Sequence, residues 1–188
     1  MALVARHDVT AEEFFAMTWL PPTAQLVDGE VVLNSPSFRH QDVALELAFR
    51  LKLWIRAAPG RGRCGIPVDV RVNDRNVYAP DVWWFWEGNV PSIDEVRMPW
   101  LPDLAVEVLS PSTRRRDVGV KRQRYEEAGL PELWIVDPRP RAVDAVRVLR
   151  RSEPKASTFD LDLRLTVDDE LTSPQVSGFS LTVRDLLA

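Results

Sequence analysis

The sequence predicts an α/β fold, a mixed β-sheet flanked by helices, built as one domain. Three observations carry this. An apolar stripe at helical spacing occupies one long stretch, and the period then shifts to the alternation of strands. The run Leu133-Trp134-Ile135-Val136 is uniformly apolar, as in a strand buried on both faces. The element order is helix, two or three strands, helix, strand, which describes an α/β sandwich around a mixed sheet rather than a doubly wound one.

Taken in order, Thr10 with Glu13 three residues on forms a capping box for a short helix over 10–15. Gln25 to Leu33 is a hairpin, two apolar runs around Asp28-Gly29. A long helix follows from about Phe38 to Ala57, with Val43, Leu47, Leu51, Trp54 and Ile55 on one stripe and Pro59-Gly60 beyond its end. Gly65 to Val72 alternates as a strand, and 73–76 turn the chain into a second strand that carries Asp81. A loop rich in Pro and charge leads to a third strand with Glu107, which Pro111 stops.

A helix is expected from about Asp117, as N-cap, to Ala128, ended by Gly129 and Pro131. Further strands are expected at 142–149 and 157–165, and a short closing helix near 183–187.

The chain has 188 residues, 45% hydrophobic and 28% charged, which are globular values that argue against disorder. No stretch approaches the roughly 18 uninterrupted apolar residues of a membrane span. The N-terminal residues break into charge too early for a signal peptide. Cys64 is the only cysteine, which excludes an internal disulfide and a cysteine zinc site. The expectation is a soluble cytoplasmic protein.

The net charge of -4 lacks the overall basic footprint of many nucleic-acid binders. Locally, however, Arg114, Arg115, Arg116, Lys121, Arg122 and Arg124 face the single acid Asp117. A second basic stretch runs through Arg139, Arg141, Arg147, Arg150 and Arg151. Such runs are either solvated faces or phosphate contacts, and spacing does not choose between them.

Two carboxylates sit where core residues are expected: Asp81 in Val77-Tyr78-Ala79-Pro80-Asp81-Val82-Trp83, and Glu107 in Leu104-Ala105-Val106-Glu107-Val108-Leu109. A charged carboxylate among Val, Leu and Trp is costly unless a cation or hydrogen bonds compensate it. If the strands are neighbours, the pair can converge on Mg²⁺ or Mn²⁺, which prefer oxygen ligands and retain waters, with the Val108 backbone carbonyl as a third ligand.

Lys121, early in its helix, can reach an attacking water or a phosphate, and Tyr125 lies at i+4 on the same face. Each residue also has an ordinary reading: Asp81 as a strand cap, Glu107 on a solvated edge, Lys121 as a surface lysine. His40 near the start of the long helix and Glu30 after the hairpin turn are candidate accessory residues, or else capping and surface groups. The aromatic run Trp83 to Trp86 reads as core rather than as a base-stacking platform.

These residues carry a resemblance. Pro80-Asp81 followed by Glu107-Val108-Leu109 resembles the PD-(D/E)XK nuclease signature. More closely, Asp28-Gly29-Glu30, Ser35-Pro36 with His40-Gln41, Ala79 to Val82, and Pro102 to Ser112 are similar to the Uma-type restriction endonuclease family. So are Arg116-Asp117 through Lys121 to Tyr125, Glu132 to Pro138, Leu171 to Pro174 and Gly178-Phe179. The likeness spans about residues 25–187.

The resemblance implies a single restriction-endonuclease-like domain over 1–188, with its core at about 25–165, and Mg²⁺-dependent hydrolysis of DNA. Asp81, Glu107 and the Val108 carbonyl would hold the metal. Glu30 and His40 would tune the site or hold a second metal, and Arg114, Arg115, Arg116, Arg122 and Arg124 would contact phosphates. The superfamily lysine two residues after the acid is Leu109 here, and its role maps to Lys121. The competing expectation is a nuclease-fold module that binds DNA or protein without cutting; a glycosidase pair is weaker, because no sugar-binding pattern surrounds the acids. A homodimer is expected, since apolar strands and Trp residues offer surface to bury.

Overall fold

Pro67 and Pro80 mark the two points where the chain leaves one sheet for another; neither has an N–H to give a ladder, and Pro80 lies between two interior strands. Where the sequence suggests one strand through Gly65 to Val72 and one through Asp81, the chain instead changes sheets twice. In the computed structural model, residues 8–110, 117–139 and 142–188 are described.

Helix α1 (Ala11–Ala16) carries the expected capping box: Thr10 accepts from the Glu13 amide, and Glu13 accepts from the Thr10 amide. The hairpin forms β1 (Ala24–Val27) and β2 (Glu30–Leu33), with Asp28 and Gly29 both at positive φ. Helix α2 spans Phe38–Arg56. Strand β3 (Arg63–Gly65) ends before Pro67, and β4 (Val70–Asn73) begins after it. Strand β5 (Asn76–Tyr78) ends before Pro80, and β6 (Val82–Phe85) begins after Asp81.

Strand β7 (Leu104–Val108) is followed by a π-helical turn, Asp117–Lys121, and helix α3 (Arg122–Glu127). Asp117 therefore lies inside a helical turn rather than capping one. Strands β8 (Glu132–Val136), β9 (Val146–Arg150) and β10 (Leu161–Leu165) follow. The last two are shorter than the periodicity suggests. A hairpin of β11 (Glu170–Thr172) and β12 (Ser180–Thr182), which the sequence reading did not anticipate, precedes the closing helix α4 (Val183–Leu186).

A six-stranded sheet has the order β10-β9-β8-β7-β6-β3, and a four-stranded sheet has the order β2-β1-β5-β4. Within the larger sheet only β7 and β8 run parallel, so it is mixed as expected. The Ala79-Pro80-Asp81 link carries the chain from β5 in the smaller sheet to β6 in the larger.

The alternation of β7 divides the core. Leu104, Val106 and Val108 point to the face covered by α2 and the C-terminal segment, packing with Leu47, Leu51, Trp84, Trp134 and Phe179. Ala105 and Leu109 point to the opposite face, against Val27, Tyr78, Tyr125 and Leu133. Glu107 shares that second face, where the smaller sheet and α3 meet the larger sheet. Trp84 and Phe85 are buried, as the core reading of the aromatic run expects, while Trp86 is exposed. Cys64 is free and buried. Among the described residues no helix is long and apolar enough to cross a membrane.

Candidate active site

Glu107 lies near the C-terminal end of a fully buried strand and is 2% exposed, so its charge requires local compensation. Two groups on one helical face provide it. Lys121, in the last position of the π turn, donates from Nζ to Oε2 at 2.8 Å. Tyr125, one turn on in α3, donates from its hydroxyl to Oε1 at 3.0 Å. Tyr78 supports both partners. Its ring lies edge-on to Tyr125 at 5.2 Å, and the Lys121 ammonium stands 5.5 Å over the Tyr78 ring. Burial, and next the Glu107 charge beside it, push the Tyr125 hydroxyl well above its ordinary pKa, so it stays a proton donor.

Asp81 sits at the mouth of β6. Its amide donates to the Val106 carbonyl at 2.9 Å, which draws it against the Glu107 end of β7. Its carboxylate accepts from the Val108 amide at 2.8 Å, and His40 Nε2 lies 3.1 Å away. A carboxylate only accepts, so Nε2 is the donor in that pair. Both contacts fall on Oδ2, leaving Oδ1 toward further chemistry. His40 reaches this position because α2 begins beside the site: Ser37 caps the helix by accepting from the His40 amide at 3.2 Å.

Asp81, Glu107, Val108, His40, Ser110 and Lys121 line one cavity of about 90 Å³. At about 30 Å³ per water, the enclosed part holds roughly three waters or one partly hydrated cation.

The donor set suits a hard cation: two carboxylates, a backbone segment and room for water are how Mg²⁺ is commonly held. Among the described residues no three His, Cys, Asp or Glu side chains form a ready-made cage. Asp81 and Glu107 are thus the side chains that could hold a hydrated divalent cation, in exchange with the Lys121 and Tyr125 contacts on Glu107.

The remaining candidates separate. Glu30 is exposed at the start of β2 and is not among the cavity-lining residues. Arg124 donates to Asp28 at 2.8 Å and to Glu127 at 2.7 Å, clamping α3 to the β1–β2 turn. The Arg124 hydrogen bond holds the Asp28 carboxyl below the usual carboxylate range. Arg122 lies 3.6 Å from Glu126. Arg114, Arg115 and Arg116 lie outside the described residues. Leu109 is buried in the second core face, away from a solvent-facing position.

Two residues at the site carried little sequence signal. Tyr78 reads as an ordinary strand aromatic. Gln25 reads as one polar residue in an apolar run, and only its complete burial marks it.

Comparison with known proteins agrees with this fold. A solved structure from Anabaena variabilis, titled a "putative nuclease belonging to DUF820", superposes with a TM-score of 0.77 at 19% identity. The superposition covers 95% of this chain and 97% of that one, and it establishes the shared nuclease-like fold. No curated protein matches the chain significantly. The family model Uma2, described as "Putative restriction endonuclease", matches residues 11–184. The chain belongs to the Uma2 family.

Proposed function

We propose that this protein is a Mg²⁺- or Mn²⁺-dependent endodeoxyribonuclease that hydrolyses DNA phosphodiester bonds with water and no covalent enzyme intermediate. The observation that carries the reading is the convergence of Asp81, Glu107 and Lys121 on one small cavity. Asp81 Oδ1, Glu107 and the Val108 carbonyl would hold the cation. When bound, Mg²⁺ supplies charge neutralisation at the phosphate and lowers the pKa of a water.

The protein's own groups do the rest. Lys121 orients the attacking water or stabilises the negative charge that develops on the phosphate oxygens. The water oxygen bonds to phosphorus as the ester bond opposite breaks, and the leaving oxygen departs as a hydroxyl. His40 fixes the Asp81 carboxylate through Oδ2, and Tyr125 fixes Glu107 through Oε1. Arg114, Arg115, Arg116 and Arg122 border the site in sequence and supply phosphate contacts that give affinity without reading sequence, while Arg124 stays engaged by Asp28 and Glu127. Glu30 is left an accessory role at most.

The protein acts as a soluble cytoplasmic homodimer in this reading. Exposed Phe38, Leu45, Phe49 and Leu53 at neighbouring positions on α2 support association.

The test is cleavage of plasmid DNA with Mg²⁺ or Mn²⁺. Asp81→Ala and Glu107→Ala are expected to lose cutting while circular dichroism shows the fold retained. Robust cutting by both purified variants would overturn the metal site. A second reading, a binding module without catalysis, is favoured by Leu109 in the core at the superfamily's lysine position. Failure of the wild type to bind Mn²⁺ would decide for that module.

A further inference from the structure

Strand β1 is buried along its whole length, yet its second residue is Gln25, 6% exposed. Its amide orientation is fixed by one contact: Nε2 donates to the Ala79 carbonyl at 3.2 Å. The opposite flip would set two carbonyl oxygens against each other, so Oε1 must face the other way. There, among the described residues, Oε1 is buried and has no hydrogen-bond partner. Gln25 also lines the cavity of Asp81, Glu107 and Lys121.

The bond to Ala79 accounts for the amide nitrogen, but packing gives no reason for the buried Oε1. A donor entering the cavity does. A neutral oxygen is also the fitting acceptor, because it adds no charge beside two carboxylates already hydrogen-bonded by Lys121 and His40.

We propose that Gln25 is a positioning residue for the cation site, its Oε1 accepting a hydrogen bond from water that hydrates the divalent ion on Asp81 and Glu107. This rests on the metal-dependent reading above. The bond to Ala79 gives the arrangement a second consequence. Ala79 lies two residues before Asp81, so Gln25 ties the smaller sheet to the link that delivers that carboxylate.

The test is Mn²⁺ titration of the full chain by calorimetry, with thermal unfolding in parallel, for wild type, Gln25→Met and Gln25→Glu. Loss of an outer-shell partner is expected to weaken Mn²⁺ binding about tenfold in Gln25→Met. Gln25→Glu is expected to lower the metal-free Tm, since a carboxylate faces the Ala79 carbonyl, and to gain more in Tm from Mn²⁺ than wild type does. A purely structural glutamine would move Tm and leave the Mn²⁺ dissociation constant alone. If Gln25→Met does not fold, Gln25→Glu carries the test through its Mn²⁺ response.

Mn²⁺ affinities within twofold of wild type in the folded variants, with Asp81→Asn losing binding, would overturn the Gln25 assignment only. Absence of Mn²⁺ binding in wild type would overturn both readings.

Discussion

Lys121 and Glu107 form a 2.8 Å ion pair whose side chains are 4% and 3% exposed. They come from different elements, the turn before α3 and the C-terminal end of β7. The π turn is the local device that makes the meeting possible. Its wider ring, often found at functional sites, sets Lys121 and Tyr125 to reach the two oxygens of one carboxylate.

Lys121→Met removes the cationic partner of a buried carboxylate, at an expected cost of about 3–5 kcal/mol. Urea unfolding measures it. The double variant Lys121→Met/Glu107→Gln should recover most of the loss. A Lys121→Met protein as stable as wild type would show that solvent or another group neutralises Glu107.

Leu109→Lys, which restores the superfamily spacing, is expected to fail as a repair. Position 109 packs with Tyr125 and Leu133, so a lysine there buries an ammonium in an apolar cluster. The variant should lose about 3 kcal/mol and should not rescue cleavage in a Lys121→Met background. Rescue would place the catalytic lysine on the strand.

Gly29→Ala tests the hairpin beneath the site. Gly29 has φ +82°, and a Cβ there would come within 2.4 Å of the Arg75 guanidinium. Strain of this kind costs about 1–3 kcal/mol. Chemical denaturation should show the loss, together with weakening of the Asp28–Arg124 clamp.

Glu132 gives a pH signature. It is fully buried, accepting from Trp134 Nε1 and from Ser173 Oγ, and burial raises its carboxyl pKa above the ordinary value. With the folded pKa above the unfolded one, stability is greatest below the unfolded value and declines as pH rises through the folded value. Glu132→Gln keeps an acceptor for Trp134 and offers an N–H to Ser173. Its Tm should exceed the wild-type Tm by a few degrees near pH 8, with the gap closing toward pH 4. A gap independent of pH would show that the Glu132 carboxyl ionises over the same pH range folded and unfolded, and that burial does not raise its pKa.

Much of this was legible in the residues. The capping box of Thr10 and Glu13, the Asp28-Gly29 turn, the stripe of α2 and the apolar β8 are short-range patterns, and short-range patterns survive folding unchanged. The two acids were visible because charge inside a Val- and Trp-rich run is costly. Lys121 and Tyr125 followed from helical spacing.

What the sequence by itself determined is therefore the inventory: an α/β chain, two misplaced carboxylates, and a lysine and tyrosine one turn apart. The tertiary structure decided which of them meet. Pro67 and Pro80 each send the chain into another sheet, and that crossing brings Asp81 to the end of β7. It also decided that His40 faces Asp81, that Arg124 is tied to Asp28, and that Gln25 stands behind the cavity. Each depends on contacts between residues tens of positions apart, and no local periodicity encodes such distances.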